Sequence, residues 1–220
     1  MRATIFIGSL KPDHDDSNTV QASALVKTEL EKYGVQVKQR YLRKRRIAPG
    51  VEFDTGDDWD QAQVYYEDVA QSDIIILATP VWWGIHSSLV QALMERVGAY
   101  DDAYIKSGKS PLYNKVFGCI ITASNDGFQH TQGIFYTFAS NLGMTVPPES
   151  YVSWGTVVGA ESTPVDNEQT VNQVKIMSRN LFLWGKMIKD LDLGNLALNI
   201  RPGRVGLLST DKLASSEKDA

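Results

Sequence analysis

Apolar residues recur along this chain in short dense runs separated by longer amphipathic stretches. The densest is Ile74-Ile75-Ile76-Leu77, set between Asp73 and the breaker Pro80. A run this short and this β-branched predicts a strand buried on both faces. Pro80 has no N–H to give a ladder, so the strand is expected to stop at Ala78-Thr79-Pro80. Trp82, Trp83 and Gly84 then read as a loop. Ser87 or Ser88 caps a following helix, whose Leu89, Leu93 and Val97 fall on one face. An aromatic loop at the carboxyl end of a parallel strand suits a flat heteroaromatic ring. Two tryptophans there can equally plug the top of the core.

The rest of the chain alternates in the same way. Residues 2–8 predict a buried strand, and residues 9–18 a polar loop with turn chemistry at Pro12-Asp13. A helix over 19–33 ends at Gly34. Residues 35–41 alternate Val-Gln-Val-Lys and predict a more exposed strand. Arg43-Lys44-Arg45-Arg46 is a basic run, and residues 52–60 form an acidic surface loop. A helix over 61–70 leads into the Ile74 strand. Residues 100–115 are polar, contain Gly108 and Pro111, and read as a long connection. Residues 116–124 predict a strand and Asn125-Asp126-Gly127 a turn. A helix over 128–142 ends at Gly143. Residues 144–154 carry the next strand, interrupted or preceded by Pro147-Pro148. A loop over 155–167 and a long helix over 168–191 follow. Residues 1–191 thus read as one α/β domain. Residues 192–220 read as a C-terminal extension, expected to be partly disordered and frayed over the polar 209–220.

Five strands alternating with helices predict a doubly wound parallel sheet of order 2-1-3-4-5. In that topology ligands bind outside the carboxyl ends of the strands, between the tips of strands 1 and 3. Three loops then share one edge: 8–19, 79–85 and 124–129. The first looks like an anion site, because Ser9, Ser17, Asn18 and Thr19 stand just before a helix whose free N–H groups attract phosphate. An ordinary N-cap is the other reading. Asp13, Asp15 and Asp16 oppose an anion unless they point outward. Neither G-x-x-x-x-G-K-[ST] nor G-x-G-x-x-G is present.

Composition narrows the function classes. The 220-residue chain has a formal net charge of −4, which does not favour nucleic acid. Cys119 is the single cysteine, so no intrachain disulfide can form, and its apolar surroundings suggest an inert core thiol. No apolar stretch approaches the roughly 20 residues that span a bilayer. The N-terminus reads as strand rather than signal peptide, so a cytoplasmic location is expected. His14, His86 and His130 are scattered, without zinc-site spacing, and His130 reads as a surface or capping residue. Asp13, Asp15 and Ser17 hint at a calcium loop, but Asn18 and Ala24 stand where its glycine and glutamate belong. Ser87 lies in no G-x-S-x-G elbow.

Taken together, GSLKPDHDDSNT at 8–19, TPVWWGIHSS at 79–88 and ASNDGFQHTQG at 123–133 resemble the flavodoxin-like NAD(P)H-dependent FMN reductases. The resemblance covers roughly residues 2–191. It implies a flavodoxin-like fold, FMN as cofactor and NAD(P)H as electron donor. It implies that Ser9, Ser17, Asn18 and Thr19 hold the FMN phosphate. Pro80, Val81, Trp82, Trp83, Gly84 and Ile85 would lie along the flavin ring, with Ser124, Asn125, Asp126 and Gly127 at its pyrimidine edge. Here the first loop is longer and more acidic than the family's usual pattern, and the third lacks its run of glycines. The implied activity takes hydride from NAD(P)H and passes electrons to a quinone, free flavin or similar small acceptor. It needs no catalytic side chain and no metal. The alternative is a flavodoxin-like electron carrier, or an FMN-binding module without its own NAD(P)H reaction. Residues 100–115 and the long last helix exceed a minimal domain, and suit a homodimer or homotetramer. Most basic runs like 43–46 are simply solvated; holding the extra phosphate of NADPH is the functional alternative.

Overall fold

The computed structural model describes residues 1–12, 16–107, 110–124, 126–155 and 162–192. Its elements run β1 (Arg2–Ile7), α1 (Asn18–Lys32), β2 (Gln36–Tyr41), α2 (Gln63–Gln71), β3 (Ile74–Trp82) and β4 (Ile85–His86). They continue with α3 (Ser88–Val97), α4 (Ala99–Ser107), β5 (Val116–Ala123), α5 (Phe128–Asn141), β6 (Tyr151–Gly155) and α6 (Glu168–Asp190). The main sheet is parallel, in the order β2-β1-β3-β5-β6, with β4 folded back antiparallel onto β3. Numbered by main strand, this is the expected flavodoxin-like 2-1-3-4-5.

Strand side chains alternate between faces, so each apolar run feeds two cores. Ile5, Ile7, Ile74, Ile76 and Ile120 pack with Val26 and Leu30 of α1 and Met177 and Leu181 of α6. Phe6, Ile75, Leu77, Phe117 and Ile121 pack the other way, with Tyr65 of α2, Leu93 of α3 and Phe135 of α5. Burial of both sheet faces is why β3 and β5 read as unbroken apolar runs. Cys119 lies in the second core, and burial pushes its thiol far above the ordinary cysteine range. No helix among the described residues is long and apolar enough to cross a membrane.

Several local expectations are corrected. β3 does not end at Pro80 but runs on to Trp82, with Pro80 opposite Thr122. The carbonyl of Ala78 accepts from Gly8 on the β1 side, so two residues later Pro80 directs its missing donor to that side, where β1 has ended opposite Ala78. The connection at 100–115 is not irregular throughout, since α4 occupies its first half. Asp101 and Asp102 sit in the first turn of α4, where the helix dipole favours negative charge. The last strand starts only at Tyr151, while residues ahead of Pro147-Pro148 add just a bridge from Thr145 to Val116. Residues 13–15, 108–109, 125, 156–161 and 193–220 lie outside the described part. The expectations for Asp13, His14, Asp15 and Asn125, and for the C-terminal extension beyond Asp192, fall there.

Lys115 enters β5 from the opposite edge of the sheet. Its ammonium donates to the carbonyls of Ala70, at 2.9 Å, and Ser72. Burial pushes its pKa down to about 8, against the pull of Asp73. A free lysine titrates near pH 10.4, so between those values the unfolded chain holds the extra proton and stability rises with pH. Burial also pushes Tyr65 and Tyr100 up to about 12. Unfolded tyrosines ionise near pH 10, so above that point stability falls again. Urea titrations at pH 8, 9 and 9.5 should show rising stability in the wild type, and a flattened profile in Lys115→Met. An equal slope in both proteins contradicts the assignment.

Candidate functional site

Three chain reversals meet at the carboxyl edge of the sheet. The first begins at Gly8, whose N–H donates to the carbonyl of Ala78 at 2.8 Å and closes the β1–β3 ladder. A Cβ on Gly8 would stand 2.3 Å from Val90 Cγ2 and 2.6 Å from Ser87 Oγ, so only glycine fits. The chain then passes Ser9 to Ser17, the N-cap of α1. Ser17 Oγ accepts from Val20 N–H at 3.4 Å and shares a 2.7 Å hydrogen bond with Ser9 Oγ. Both serines are buried. The first-turn N–H groups of α1 have no intrahelical carbonyl to bond. Asn18 is half-buried there. Asp16 is exposed and ion-paired with Lys11 Nζ at 2.8 Å, so its charge is neutralised locally.

The second reversal is a hairpin rather than an open loop. Val81 pairs with His86 and Trp82 with Ile85, leaving Trp83 and Gly84 as a two-residue turn. Both have positive φ, 53° and 83°. That is the type I′ arrangement, which Asn-Gly or Gly-Gly adopts without strain. A tryptophan in the left-handed region costs about 1–3 kcal/mol. Trp83 is 98% exposed, Trp82 51% and Ile85 47%, so the tip is an apolar surface facing solvent rather than a plug in the core. The base of the hairpin is rigid. Thr79 Oγ1 accepts from Ser87 N–H at 2.9 Å and donates to the Pro80 carbonyl at 2.8 Å. Ser87 holds the N-cap position of α3 but makes no capping bond; its hydroxyl instead donates to the Gly8 carbonyl at 2.8 Å.

His86 is buried beneath the hairpin, its ring tilted against Phe135. Its Nε2 lies 2.7 Å from Gln91 Oε1, and Gln91 Nε2 donates to Glu95 Oε1 at 2.7 Å. An amide donating to Glu95 presents its oxygen to His86, so Nε2 carries the proton. Nδ1 is then a buried acceptor without a partner among the described residues.

The third reversal follows β5. Ser124 and Asp126 are exposed, and Gly127 turns the chain into α5 with φ 82°. A Cβ on Gly127 would meet Val81 Cγ1 at 2.7 Å and the Gly84 carbonyl oxygen at 3.0 Å, so this turn lies directly on the hairpin. Thr19 Oγ1 and Thr122 Oγ1 share a 2.7 Å hydrogen bond between α1 and the end of β5. Each reversal is therefore tied to the other two: Ser87 to Gly8, Gly84 to Gly127, Thr19 to Thr122.

Of the residues expected at the site, Ser9, Ser17, Asn18 and Thr19 gather at the start of α1. Pro80, Val81, Trp82, Trp83, Gly84 and Ile85 make up the hairpin, and Ser124, Asp126 and Gly127 the third turn. Sequence reasoning missed the bracing residues Gly8, Thr79, Ser87 and Thr122. A hydroxyl that bonds a carbonyl 79 positions away leaves no local pattern. His130 is exposed, as expected, and no cluster of three metal-ligating side chains occurs among the described residues.

A family model described as NADPH-dependent FMN reductase matches residues 1–159. The chain belongs to that family of enzymes. Among relatives, an 8-demethyl-8-aminoriboflavin-5'-phosphate synthase from Streptomyces davaonensis is 28% identical over 111 residues, 46% of this chain and 43% of that protein. A divalent metal cation transporter, MntH, from Mycobacterium bovis is 27% identical over 200 residues, 86% of this chain and 29% of that protein. The chain thus spans less than half the length of either curated relative. The crystal structure of RosB with bound intermediate 8-demethyl-8-formylriboflavin-5'-phosphate matches with a TM-score of 0.75 at 23% identity, covering 86% of this chain and 81% of that one. That likeness establishes the shared fold. The family's name joins a flavin to a reduced nicotinamide, and the crevice described above lies wholly within the matched residues.

The contact between the second and third reversals can be tested directly. Gly127→Ala forces a Cβ against Val81 and the Gly84 carbonyl in a left-handed conformation, and should destabilise the protein by about 1–3 kcal/mol. Gly133→Ala, inside α5 with open space at its Cβ, is the control and should be neutral or stabilising by about 0.5–1 kcal/mol. Equal melting temperatures for the two variants would show that the turn does not bear on the hairpin.

Proposed function

We propose that this crevice binds FMN, and that the protein uses it to oxidise a reduced nicotinamide and deliver electrons to a quinone, a free flavin or a similar small acceptor. The observation that carries this reading is the solvent-facing hairpin tip. Trp82, Trp83 and Ile85 present an apolar surface beside exposed backbone, in a strained turn braced from both sides. Strain of this kind persists where surrounding structure over-determines it, and it concentrates at ligand clamps.

The residues present fit the cofactor. The buried Ser9–Ser17 hydroxyl pair and the first turn of α1 form an anion site for a phosphate. The left-handed Gly84, with open space where a Cβ would stand, lets the hairpin backbone approach a flat ring, and Gly127 lets the third turn lie against the hairpin. Backbone N–H groups in these turns can offset negative charge on a reduced ring as preorganised donors. When bound, FMN supplies the hydride and electron chemistry itself. The chain's part is to bind, to orient a second flat ring by stacking, and to exclude water, with Trp82, Trp83, Ile85 and the half-buried Phe128 as the apolar walls. A relative named for the synthesis of a riboflavin-5'-phosphate derivative supports a flavin phosphate as the ligand.

Two measurements test the reading. Ser9→Ala with Ser17→Ala removes hydrogen bonds to a charged group worth about 1.5–3 kcal/mol each, so FMN affinity should fall at least tenfold. Unchanged affinity would place the phosphate elsewhere. The flavin-loaded protein is then mixed anaerobically with NADPH or NADH. Bleaching of the flavin band within seconds is the expected result. No bleaching by either donor over minutes, with ready reduction by dithionite, would make the protein an electron carrier instead.

A further inference from the structure

The long last helix carries a surface that neither the core nor the crevice uses. α6 buries Val174, Met177, Ser178, Leu181 and Gly185. A second apolar stripe runs beside that one. Ile176, Leu183, Trp184 and Met187, with Leu191 just past the helix end, are 36–60% exposed. Counted from Ile176 and including Asn180, these positions fall at i, i+4, i+7, i+8, i+11 and i+15, which is one face of a helix about 22 Å long. Contiguous exposed apolar surface of this kind marks an interaction site.

The neighbours of α6 show where the stripe faces. On one flank Phe182 stacks on Tyr33 of α1, with ring centres 5.0 Å apart. On the other, Asn180 Nδ2 donates to the Pro148 carbonyl at 2.8 Å, just ahead of β6. The stripe therefore lies on the β6 side, and β6 pairs only with β5 among the described residues. An open strand edge invites another strand, but here α6 blocks it. Ser153 N–H donates to Gln173 Oε1 at 3.0 Å, and Thr170 Oγ1 donates to the Ser153 carbonyl at 3.4 Å. A partner at this corner meets a helix face, not a strand edge. The corner is also remote from the crevice, because Lys189 Nζ in the last turn of α6 lies 3.2 Å from Asp73 Oδ2, at the opposite edge of the sheet.

We propose that this stripe is the interface of a twofold homodimer, in which α6 packs antiparallel against α6 of a second copy. Such an interface must be self-complementary, each residue i meeting a residue j that also meets i. The stripe satisfies that condition. Reversal about the midpoint between Leu183 and Trp184 exchanges Ile176 with Leu191, Asn180 with Met187, and Leu183 with Trp184, so the six positions map onto themselves. The rim agrees. Arg179 and Asp190 stand on the polar flank of the stripe, and the same reversal brings Arg179 within about 3 Å, along the helix axis, of Asp190 of the second copy. Arg179 makes no ion pair among the described residues. Asp190 pairs only with Lys186 of its own helix, at 2.6 Å and in the open, where such a pair holds weakly. Two Arg179–Asp190 contacts per dimer then fix the antiparallel register.

Light scattering and sedimentation equilibrium of the full chain measure the assembly. At micromolar concentration the mass should be that of two chains. Leu183→Lys and Met187→Lys should each weaken the dimer at least tenfold while leaving the melting curve of the dissociated chain cooperative, since both side chains are exposed. Ile105→Lys, at an exposed apolar position of α4, is the control and should leave the dimer intact. Should either lysine variant fail to fold, the rim decides. Arg179→Glu alone should weaken association, and Arg179→Glu with Asp190→Arg should restore it. A monomeric wild type overturns the proposal, and leaves the stripe to residues 193–220 of the same chain or to a different protein. A dimer untouched by the stripe variants, or one that the charge exchange does not restore, overturns it too. None of these outcomes depends on flavin, so the dimer stands or falls apart from the reductase reading.

Discussion

β3 outruns β1, and the crevice exists because of that offset. β1 ends opposite Ala78, whereas β3 continues to Trp82 with β5 still alongside as far as Pro80. Past Ala78 β1 no longer pairs with β3, and β4 meets β3 only from Val81 and Trp82 onward. An unpaired strand edge normally exposes N–H groups that seek a partner. Here the sequence places Pro80, which has no N–H, at the first position directed into the gap. Between the end of β1 and the start of the β4 pairing no orphaned donor is therefore left on β3. Gly8 then turns β1 away through space that no side chain can share with Ser87 and Val90.

Fixing the edges of that gap falls to a few polar contacts between distant parts of the chain. Ser87 and Thr79 spend their hydroxyls on backbone groups of neighbouring loops, and the Thr19–Thr122 bond crosses from α1 to β5. Each is buried, so losing one partner leaves the other unsatisfied at about 1–3 kcal/mol. On the far side of α3, Arg96 plays the same part on a larger scale. It is almost wholly buried, pairs with Asp60, and donates to Tyr66 Oη at 2.8 Å and to the carbonyls of Ala48 and Phe53. A buried cation is tolerable only when its donors are met in this way. The effect is to tie residues 48–60 down to α3.

The fold was legible because both of its determinants are local. Short β-branched runs alternate with amphipathic helices, and the glycines that end α1 and α5 mark their boundaries. The order of the strands followed from their parallel alternation. Positions of the three loops followed in turn, and with them most of the candidate residues. What escaped notice was of two kinds. The type I′ hairpin was hidden because its turn is Trp-Gly, not the Asn-Gly or Asp-Gly that signals such a turn, and Pro80 argued against a strand there. α4 was hidden because a segment containing Gly108 and Pro111 reads as a loop, although both lie beyond the helix end at Ser107. The bracing hydroxyls of Thr79, Ser87 and Thr122 were hidden for a different reason. Their partners are set by tertiary contact, and a serine at a helix start looks like a cap whether or not it caps.

The hairpin tip brings these strands of argument together. Trp83 is held in a left-handed conformation that disfavours it, and its side chain gains no burial in return, being almost fully exposed. Left exposed, the tip also forgoes the roughly 25 cal/mol per Å² that burying its apolar area would return. Nothing inside the described part of the chain offsets these costs. The tip can be maintained only because its base is over-determined by Thr79, Ser87 and Gly127, which leave the turn no other conformation. Such a tip gains most when a flat, apolar surface is laid against it, because burial is then recovered with little conformational entropy left to lose. A rigid base and an uncovered aromatic end are therefore two halves of one device. The scaffold bears the strain in advance, so that a ring laid against the hairpin tip meets a wall already in place.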